Sequence, residues 1–471
     1  VKLKPGQHIF LVGIGGSGLS AIARVLLGQG YTVSGSDRSL NSLTEALARD
    51  GATIYQGHDA AQIAGADALI ITSAVKDDHV EVAAARTAGI PVYKRQDIMA
   101  DLMEGKTVIA VAGTKGKTTT TSMIVHILRE CGQDPSYIVG GIMGNTGTNA
   151  GVGKGSAFVV EADEYDNMFL GLKPDIAVIT NIEWDHPDFF KTPEDMVDSF
   201  RRFSLKVGKI LLLCGDDAHC RQLADELDSK VLVQTYGKTN SDFWVENVSY
   251  SSNGHSVFEL VQRGIRFSDQ KVVLIRKVVK LPLPGLHNIL NAVAALVAAL
   301  NLNAQAIEAL ETFKPTARRF DVRADVKGIA IVDDYAHNPM SIKAVIEAAK
   351  QRYPDRAVWA VWQPHTYSRT QALFDQFVKA FDEANHVLVT DIYAAREAPV
   401  EGVNSAAVVA AMKRYYAWLS PTFARHTPTF ADAVKVLHDE VKSPSVVVIM
   451  SAGDAPEIGV QYLKLLQETN V

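Results

Sequence analysis

Short runs of apolar, mostly β-branched residues recur along this chain. Each is followed by a glycine or polar loop and then by a stretch with helical spacing. His8 to Ile14 is the first such run, and Gly18 to Gly28 reads as its helix. Tyr31 to Gly35 and Leu69 to Thr72 repeat the strand part. The runs are apolar throughout rather than alternating, which suits parallel strands buried on both faces. Strands alternating with helices predict a doubly wound α/β sheet.

The pattern restarts at Thr107 to Ala112 and continues through Ala157 to Val160, Ile176 to Thr180 and Lys209 to Leu213. Between Val231 and Val279 the texture changes to short strands with turn signals such as Ser252-Asn253-Gly254, a β-rich excursion, and a helix is expected from Asn288 to Leu300. A third block follows Pro315, with strands expected at Ile329 to Val332, Ala357 to Val361, His386 to Thr390 and Val446 to Met450.

Length agrees with this division, since 471 residues suffice for about three domains. Formal charge is −6, so no bulk basic field argues for nucleic acid or an anionic membrane. The three cysteines, Cys131, Cys214 and Cys220, show no CxxC spacing and imply neither a disulfide framework nor a zinc site. No apolar run approaches the roughly 18–20 residues of a membrane span. The HIFLVGIGG segment is short and runs into a glycine loop, unlike a signal peptide. A cytoplasmic globular protein is expected, with no membrane span and no nucleic-acid partner, as a monomer or homodimer.

The most informative segment runs from Val108 through Gly113, Thr114, Lys115, Gly116, Lys117, Thr118 and Thr119. It reads as a strand, a glycine turn and a helix start. Backbone N–H groups of such a turn face inward around a phosphate, and the helix terminus adds positive dipole. Lys117 would reach the β/γ phosphates of ATP, and Thr118 would offer its hydroxyl to Mg²⁺. The full G-x-x-x-x-G-K-[ST] pattern is not met, because Val111 stands five before Gly116. Glu161 and His186 fall at the carboxyl ends of two further strands, where open parallel sheets bind ligands. Taken alone, EADEYD reads as a solvated acidic loop and His186 as a loop histidine. Their shared placement beside the phosphate loop reverses both readings, and Thr118, Glu161 and His186 become the expected metal site.

A second glycine loop, Gly13-Ile14-Gly15-Gly16-Ser17-Gly18, follows the first strand, and Asp37 ends the next. The spacing fits a dinucleotide fingerprint, but its physical content is only that amides and a helix terminus hold a pyrophosphate. Ser73 and His58, in loops after expected strands, fit sugar-nucleotide contacts and structural roles equally well.

Together these segments resemble the Mur ligase family, the ATP-dependent amide-forming enzymes of cell-wall precursor synthesis. The resemblance rests on GTKGKTTT at 113–120, EADE at 161–164, TNIEWDH at 180–186, GLHNILN at 285–291, ARRFD at 317–321, DDYAHNP at 333–339 and QPHTYSRT at 363–370. It implies three α/β units. Residues 1–104 form a Rossmann-like unit for the UDP-sugar, and 105–313 a P-loop-type ATPase unit carrying the β-rich excursion. Residues 314–471 form a Rossmann-like unit for the amino acid. GIGGSGLS at 13–20 resembles the branch that joins L-alanine to UDP-N-acetylmuramate. There the substrate carboxylate attacks the γ-phosphate, and the amine displaces phosphate from the acyl phosphate.

By the same resemblance Lys117 grips phosphate, while Thr118, Glu161 and His186 belong to the magnesium sites. Asn288 and Asn291 flank adenine, although helix capping is an equally open reading of Asn288. Arg319 and Asp334 close over ATP, and His337 and Arg369 lie on the amino-acid side. Lys115, Asn338, Thr366 and Ser451 depart from the branch's usual residues. Three alternatives stay open: a ligase that recycles a preformed tripeptide, an NAD-dependent oxidoreductase, and a non-catalytic UDP-sugar-binding protein. EADEYD with the following Phe169 leans towards the first.

Overall fold

Buried backbone groups must find hydrogen-bond partners, and an apolar run meets that demand by lying beside another run. The computed structural model describes residues 3–72, 75–187, 189–227, 230–251, 253–266, 271–305, 307–395, 397–417 and 423–468. Among them the runs pair into three sheets.

The first sheet holds β1 (His8–Val12), β2 (Thr32–Asp37), β3 (Thr53–Gln56), β4 (Ala68–Ile71) and β5 (Val92–Lys94). Its order is β3-β2-β1-β4-β5, with every pairing parallel. The second holds β6 (Thr107–Ala112), β7 (Ser136–Ile138), β8 (Ala150–Gly151), β9 (Ala157–Glu161) and β10 (Ile176–Ile179). It continues with β11 (Ile210–Cys214), β12 (Leu232–Gly237), β13 (Phe243–Tyr250), β14 (Ser256–Arg266) and β15 (Lys271–Leu281). Its order is β15-β14-β13-β12-β11-β10-β6-β9-β7-β8. The third holds β16 (Asp321–Val326), β17 (Ile329–Asp334), β18 (Ala357–Trp362), β19 (His386–Val389), β20 (Ala424–His426) and β21 (Ser445–Met450), ordered β16-β17-β21-β18-β19-β20.

The β-rich excursion is not a separate layer. β12 and β13 continue the parallel sheet beside β11, and β14 and β15 extend the same sheet by antiparallel pairing. The strands that the pattern does not announce, β3, β5, β7, β8, β16 and β20, are short, or half-exposed like β16. They hold too few apolar residues to stand out.

The core joins the units unequally. One continuous buried cluster runs from Ile9 and Leu11 of the first sheet through Val108 to Val111 and on to Phe313. The helix Ser17–Gly28 packs on β8 here, and the Asn149 amide donates to Ser17 O at 3.1 Å and to Ser20 Oγ at 3.0 Å. The third sheet keeps its own clusters, one on each face, around Trp362 and around Val447. Polar contacts join it to the rest, among them Ala317 N–H to Ile142 O at 2.9 Å and the Ser122–Thr316 hydroxyl pair at 2.9 Å.

The loop after β9 is braced from below. Phe169 is fully buried, stacks on Phe203 at 4.7 Å and meets Phe200 edge-on at 5.2 Å. Its N–H donates to Asp163 O at 2.9 Å, so the aromatic stack fixes the acidic segment above it. Phe169→Ala is expected to destabilise the protein by about 3 to 5 kcal/mol. Urea denaturation followed by tryptophan fluorescence checks this; a loss below about 1 kcal/mol would show that the stack bears no weight.

Candidate active site in the cleft between the units

The carboxyl ends of β6, β9 and β10 open into a cleft of about 1420 Å³. All three units line it, the first through Ser17, Gly18 and Arg95, the third through Arg319, His337 and Arg369.

Gly113 and Gly116 take φ of +129° and +85°, a region that L side chains rarely adopt. A side chain at Gly116 would also run into the Asn291 carboxamide. The turn is pinned from β10: Thr114 N–H donates to Asn181 O and Lys115 N–H to Asn181 Oδ1, both at 3.0 Å. The amides that open the helix Lys117–Glu130 have no helical partner of their own and suit an anion. The Lys115 ammonium pairs with Glu183, so Lys115 serves the loop through its backbone.

The Lys117 ammonium donates to Gly113 O at 2.6 Å and to both Glu164 oxygens at 2.9 and 2.8 Å. Burial alone would lower the Lys117 pKa, but Glu164, Asp163 and Glu161 reverse that and keep it charged. Burial pushes the Glu164 carboxyl up to about 7 against the pull of Lys117. The EADE segment contained Glu164 without marking it as a partner of Lys117.

Thr118 Oγ donates to Glu161 Oε1 at 3.0 Å, and Glu161 Oε2 accepts from Gly140 N–H at 2.7 Å. A hydroxyl and a carboxylate converging in this way suit a hard, oxygen-seeking cation such as Mg²⁺. His186 stands apart from that pair, with Nε2 at 3.8 Å from Glu164 Oε1. Burial lowers its pKa, so the ring is neutral near pH 7. Its φ of +56° is strained for a non-glycine residue, a strain found most often at functional positions.

From the third unit Arg319 comes within 3.5 Å of Thr118 Oγ, its guanidinium 5.1 Å from the Tyr335 ring. Asp334 does not point at the phosphate loop. Its carboxylate accepts from Phe320 N–H at 2.7 Å and Ala336 N–H at 2.8 Å, which holds the segment bearing Arg319. Burial raises its pKa and Arg319 opposes.

Arg369 is buried against Asp185, a pairing across 184 residues, with Nη2 at 2.9 Å and Nε at 3.3 Å from Oδ1. Burial would raise the Asp185 carboxyl, but Arg369 and then His186 outweigh it and hold it well below the usual range. Arg369 Nη1 also lies 3.0 Å from His365 Nδ1. A guanidinium cannot accept, so His365 Nδ1 is a lone pair and the ring is neutral. Burial, then Arg369, brings His365 to about 4 and the neighbouring His337 to about 3. His337 Nδ1 faces Tyr335 O at 2.9 Å.

The glycine loop of the first unit is largely self-satisfied. Gly13 and Ile14 donate to Ser36 O, Gly16 to Gly13 O, and Gly15 to Asp37 Oδ2 at 2.9 Å. Asp37 thus braces the loop from beneath, and Ser17 and Gly18, at the helix start, are the loop positions that face the cleft. Arg95, unmarked by any motif, reaches over Gly18 and pairs with Asp163 at 3.2 Å. Ser73 lies outside the described residues. His58 sits away from the cleft and pairs with buried Glu81 at 3.1 Å, beside Ser36.

Asn288 and Asn291 are buried on the helix Leu286–Leu300 and face the cleft. Asn288 is not a cap. Gly285 takes that position, and the Asn288 amide donates to Pro284 O at 2.7 Å.

Three family signatures match the chain: "Mur ligase family, catalytic domain" over residues 8–107, "Mur ligase middle domain" over 111–299, and "Mur ligase, glutamate ligase domain" over 318–453. The chain is 39% identical to the UDP-N-acetylmuramate–L-alanine ligase of Roseiflexus sp. (strain RS-1), over 98% of this chain and 100% of that protein. It is 40% identical to the enzyme of the same name from Geotalea daltonii, over 98% of each. The crystal structure of the UDP-N-acetylmuramate–alanine ligase of Thermotoga maritima superposes with a TM-score of 0.81 at 27% identity, covering 98% of this chain and 100% of that one. A murein peptide ligase from Psychrobacter arcticus shares the fold, with a TM-score of 0.69 at 24% identity over 99% of each chain.

The Asp185–Arg369 pair gives a test of how the third unit is held. Removing one partner of a buried ion pair strands the other, so Asp185→Asn is expected to cost about 3 to 5 kcal/mol. Because the folded pKa is depressed, that contribution is fully present above the ordinary carboxylate value of about 3.9. It is lost as pH falls through the lower folded value. Chemical denaturation of both proteins should therefore show a constant difference from pH 8 to 5 that shrinks on further acidification. A difference that already closes near neutrality would contradict this geometry.

Proposed function

This chain belongs to the Mur ligase family, and on that premise we propose that it is the ATP-dependent ligase that joins UDP-N-acetylmuramate to L-alanine. The amide forms at the lactyl carboxylate, through an acyl phosphate, in peptidoglycan precursor biosynthesis. The observation that carries the reading is the meeting of Lys117, the Thr118–Glu161 pair and Arg319 in one cleft that all three units line. The chain's similarity to two L-alanine ligases over 98% of its length supports the choice of amine over the tripeptide-recycling alternative.

Residues 1–104 are assigned to the UDP-sugar, with Ser17 and Gly18 presenting the helix terminus to its diphosphate and Arg95 beside them. Residues 105–313 take the nucleotide: the amides from Gly116 to Thr119 and the Lys117 ammonium hold phosphate, while Asn288 and Asn291 line the adenine side. Thr118 and Glu161 would hold Mg²⁺, with His186 near a second position. Bound there, the metal supplies charge neutralisation on the phosphates. Residues 314–471 take the amino acid.

Phosphoryl transfer asks a protein for positioning and charge more than for covalent help. Lys117 and Arg319 bring two cations to the phosphate loop from different units. An acyl phosphate must be kept from water, and the buried Asp185–Arg369 pair, with His365 beside it, lines the cleft on that side. His337, held neutral down to about pH 3, positions the incoming group without carrying charge. Among the described residues no helix is long and apolar enough to cross a membrane, and the enzyme is assigned to the cytoplasm, as a monomer or homodimer.

Phosphate release with ATP, Mg²⁺ and UDP-N-acetylmuramate, measured separately with L-alanine, glycine, L-serine and the tripeptide, tests the reaction. Release is expected to be strongest with L-alanine; a preference for tripeptide would move the enzyme to recycling. Lys117→Ala should abolish turnover while UDP-sugar binding by calorimetry stays intact, and a variant that still turns over would remove Lys117 from the mechanism. Glu161→Gln should raise the Mg²⁺ concentration needed for half-maximal rate by about tenfold or more. An unchanged requirement would place the metal elsewhere.

A further inference from the structure

An ammonium has three N–H groups and accepts nothing. At Lys117 they face Gly113 O at 2.6 Å and Glu164 Oε1 and Oε2 at 2.9 and 2.8 Å, with Thr114 O a fourth acceptor at 3.3 Å. No donor is left over for a phosphate oxygen. The two backbone carbonyls belong to the phosphate loop and are fixed by it, so the partner that can yield is the Glu164 side chain.

Glu164 is itself 1% exposed and sits on the loop that Phe169 braces. Its neighbour His186, a neutral imidazole, is farther away, at 3.8 Å. Both Glu164 oxygens accept from the ammonium, so the pair places a carboxylate where a phosphate would otherwise find Lys117. We propose that Glu164 is a positioning residue that competes with the nucleotide's phosphates for the Lys117 ammonium, so that phosphate capture is an exchange of one anion for another. The proposal rests on Lys117 being the phosphate grip. Its consequence is that Glu164 keeps the ammonium charged and aimed while setting a limit on how tightly nucleotide is held. Release after the reaction is assisted because the same carboxylate takes the ammonium back.

The test is a double-mutant cycle on the full-length protein, with the affinity for a non-hydrolysable ATP analogue and Mg²⁺ read by calorimetry. Glu164→Gln keeps the shape and removes the charge. It is expected to bind the analogue roughly three- to tenfold tighter than the parent, while its melting temperature falls or stays and its UDP-sugar affinity is unchanged. A merely structural role predicts the opposite sign. In the Lys117→Ala background the same substitution should leave affinity unchanged. Tightening that persists there would mean simple repulsion between Glu164 and phosphate, and would overturn the proposal. So would unchanged or weaker binding by folded Glu164→Gln. If Glu164→Gln does not fold, Glu164→Asp, with its carboxylate drawn back by one methylene, is read in the same way. Lys117→Ala that binds the analogue like the parent would overturn the phosphate-grip reading itself, a result that none of the other arms produces.

Discussion

A parallel strand buried on both faces has no side on which to carry chemistry. In this chain the apolar runs occupy the sheet interiors so fully that polar side chains collect at the strand ends, and the carboxyl ends are where loops turn into helix N-termini. The cleft follows from that constraint. β6 ends in the Gly113–Gly116 turn, β9 ends in Glu161, and β10 leads into Asn181, Asp185 and His186. Three neighbours in one sheet thus deliver the phosphate loop, the carboxylate and the histidine to a single edge without any of them being adjacent in sequence.

Once collected in the cleft, the charges pair with one another. Cations and anions alternate through it: Lys115 with Glu183, Lys117 with Glu164, Arg95 with Asp163, Arg369 with Asp185. The histidines among them, His186, His287, His337 and His365, are depressed by burial and stay neutral, which spares the site four further cations. Backbone strain gathers at the same place. His186, Arg318, Phe320 and Thr366 all take positive φ, each beside the cleft, held there by the packing around them.

Much of this was legible in the order of residues. Glycines before a lysine and threonine announce a tight phosphate-loop turn, and Gly113 lies against the Thr180–Asn181 backbone while Gly116 lies against the Asn291 side chain. Long apolar runs such as Thr107–Ala112 stand as strands with the same bounds. Short strands did not announce themselves, because Val92–Lys94 or Ala150–Gly151 differ little from loop until a neighbour pairs with them. The pairings were hidden for another reason. Nothing within QPHTYSRT reveals that Arg369 meets a carboxylate 184 positions earlier, nor does EADE reveal which of its acids takes Lys117. Asp37 shows another hidden pairing: an acid at a strand end fits the dinucleotide spacing, and its Oδ2 accepts from Gly15 N–H. Local chemistry is written locally, whereas partnership is decided by topology.

The buried cluster that runs unbroken from Ile9 to Phe313 makes the first two units one body, while the third keeps its own cores. The span from the Ser17 helix terminus to the phosphate loop is therefore a fixed ruler, independent of where the third unit stands. For inhibitor chemistry this separates two design problems. A stiff molecule cut to that ruler meets a preformed surface and loses little freedom on binding. One that must also touch Arg369 needs slack in its linker, because its far anchor belongs to a different rigid part.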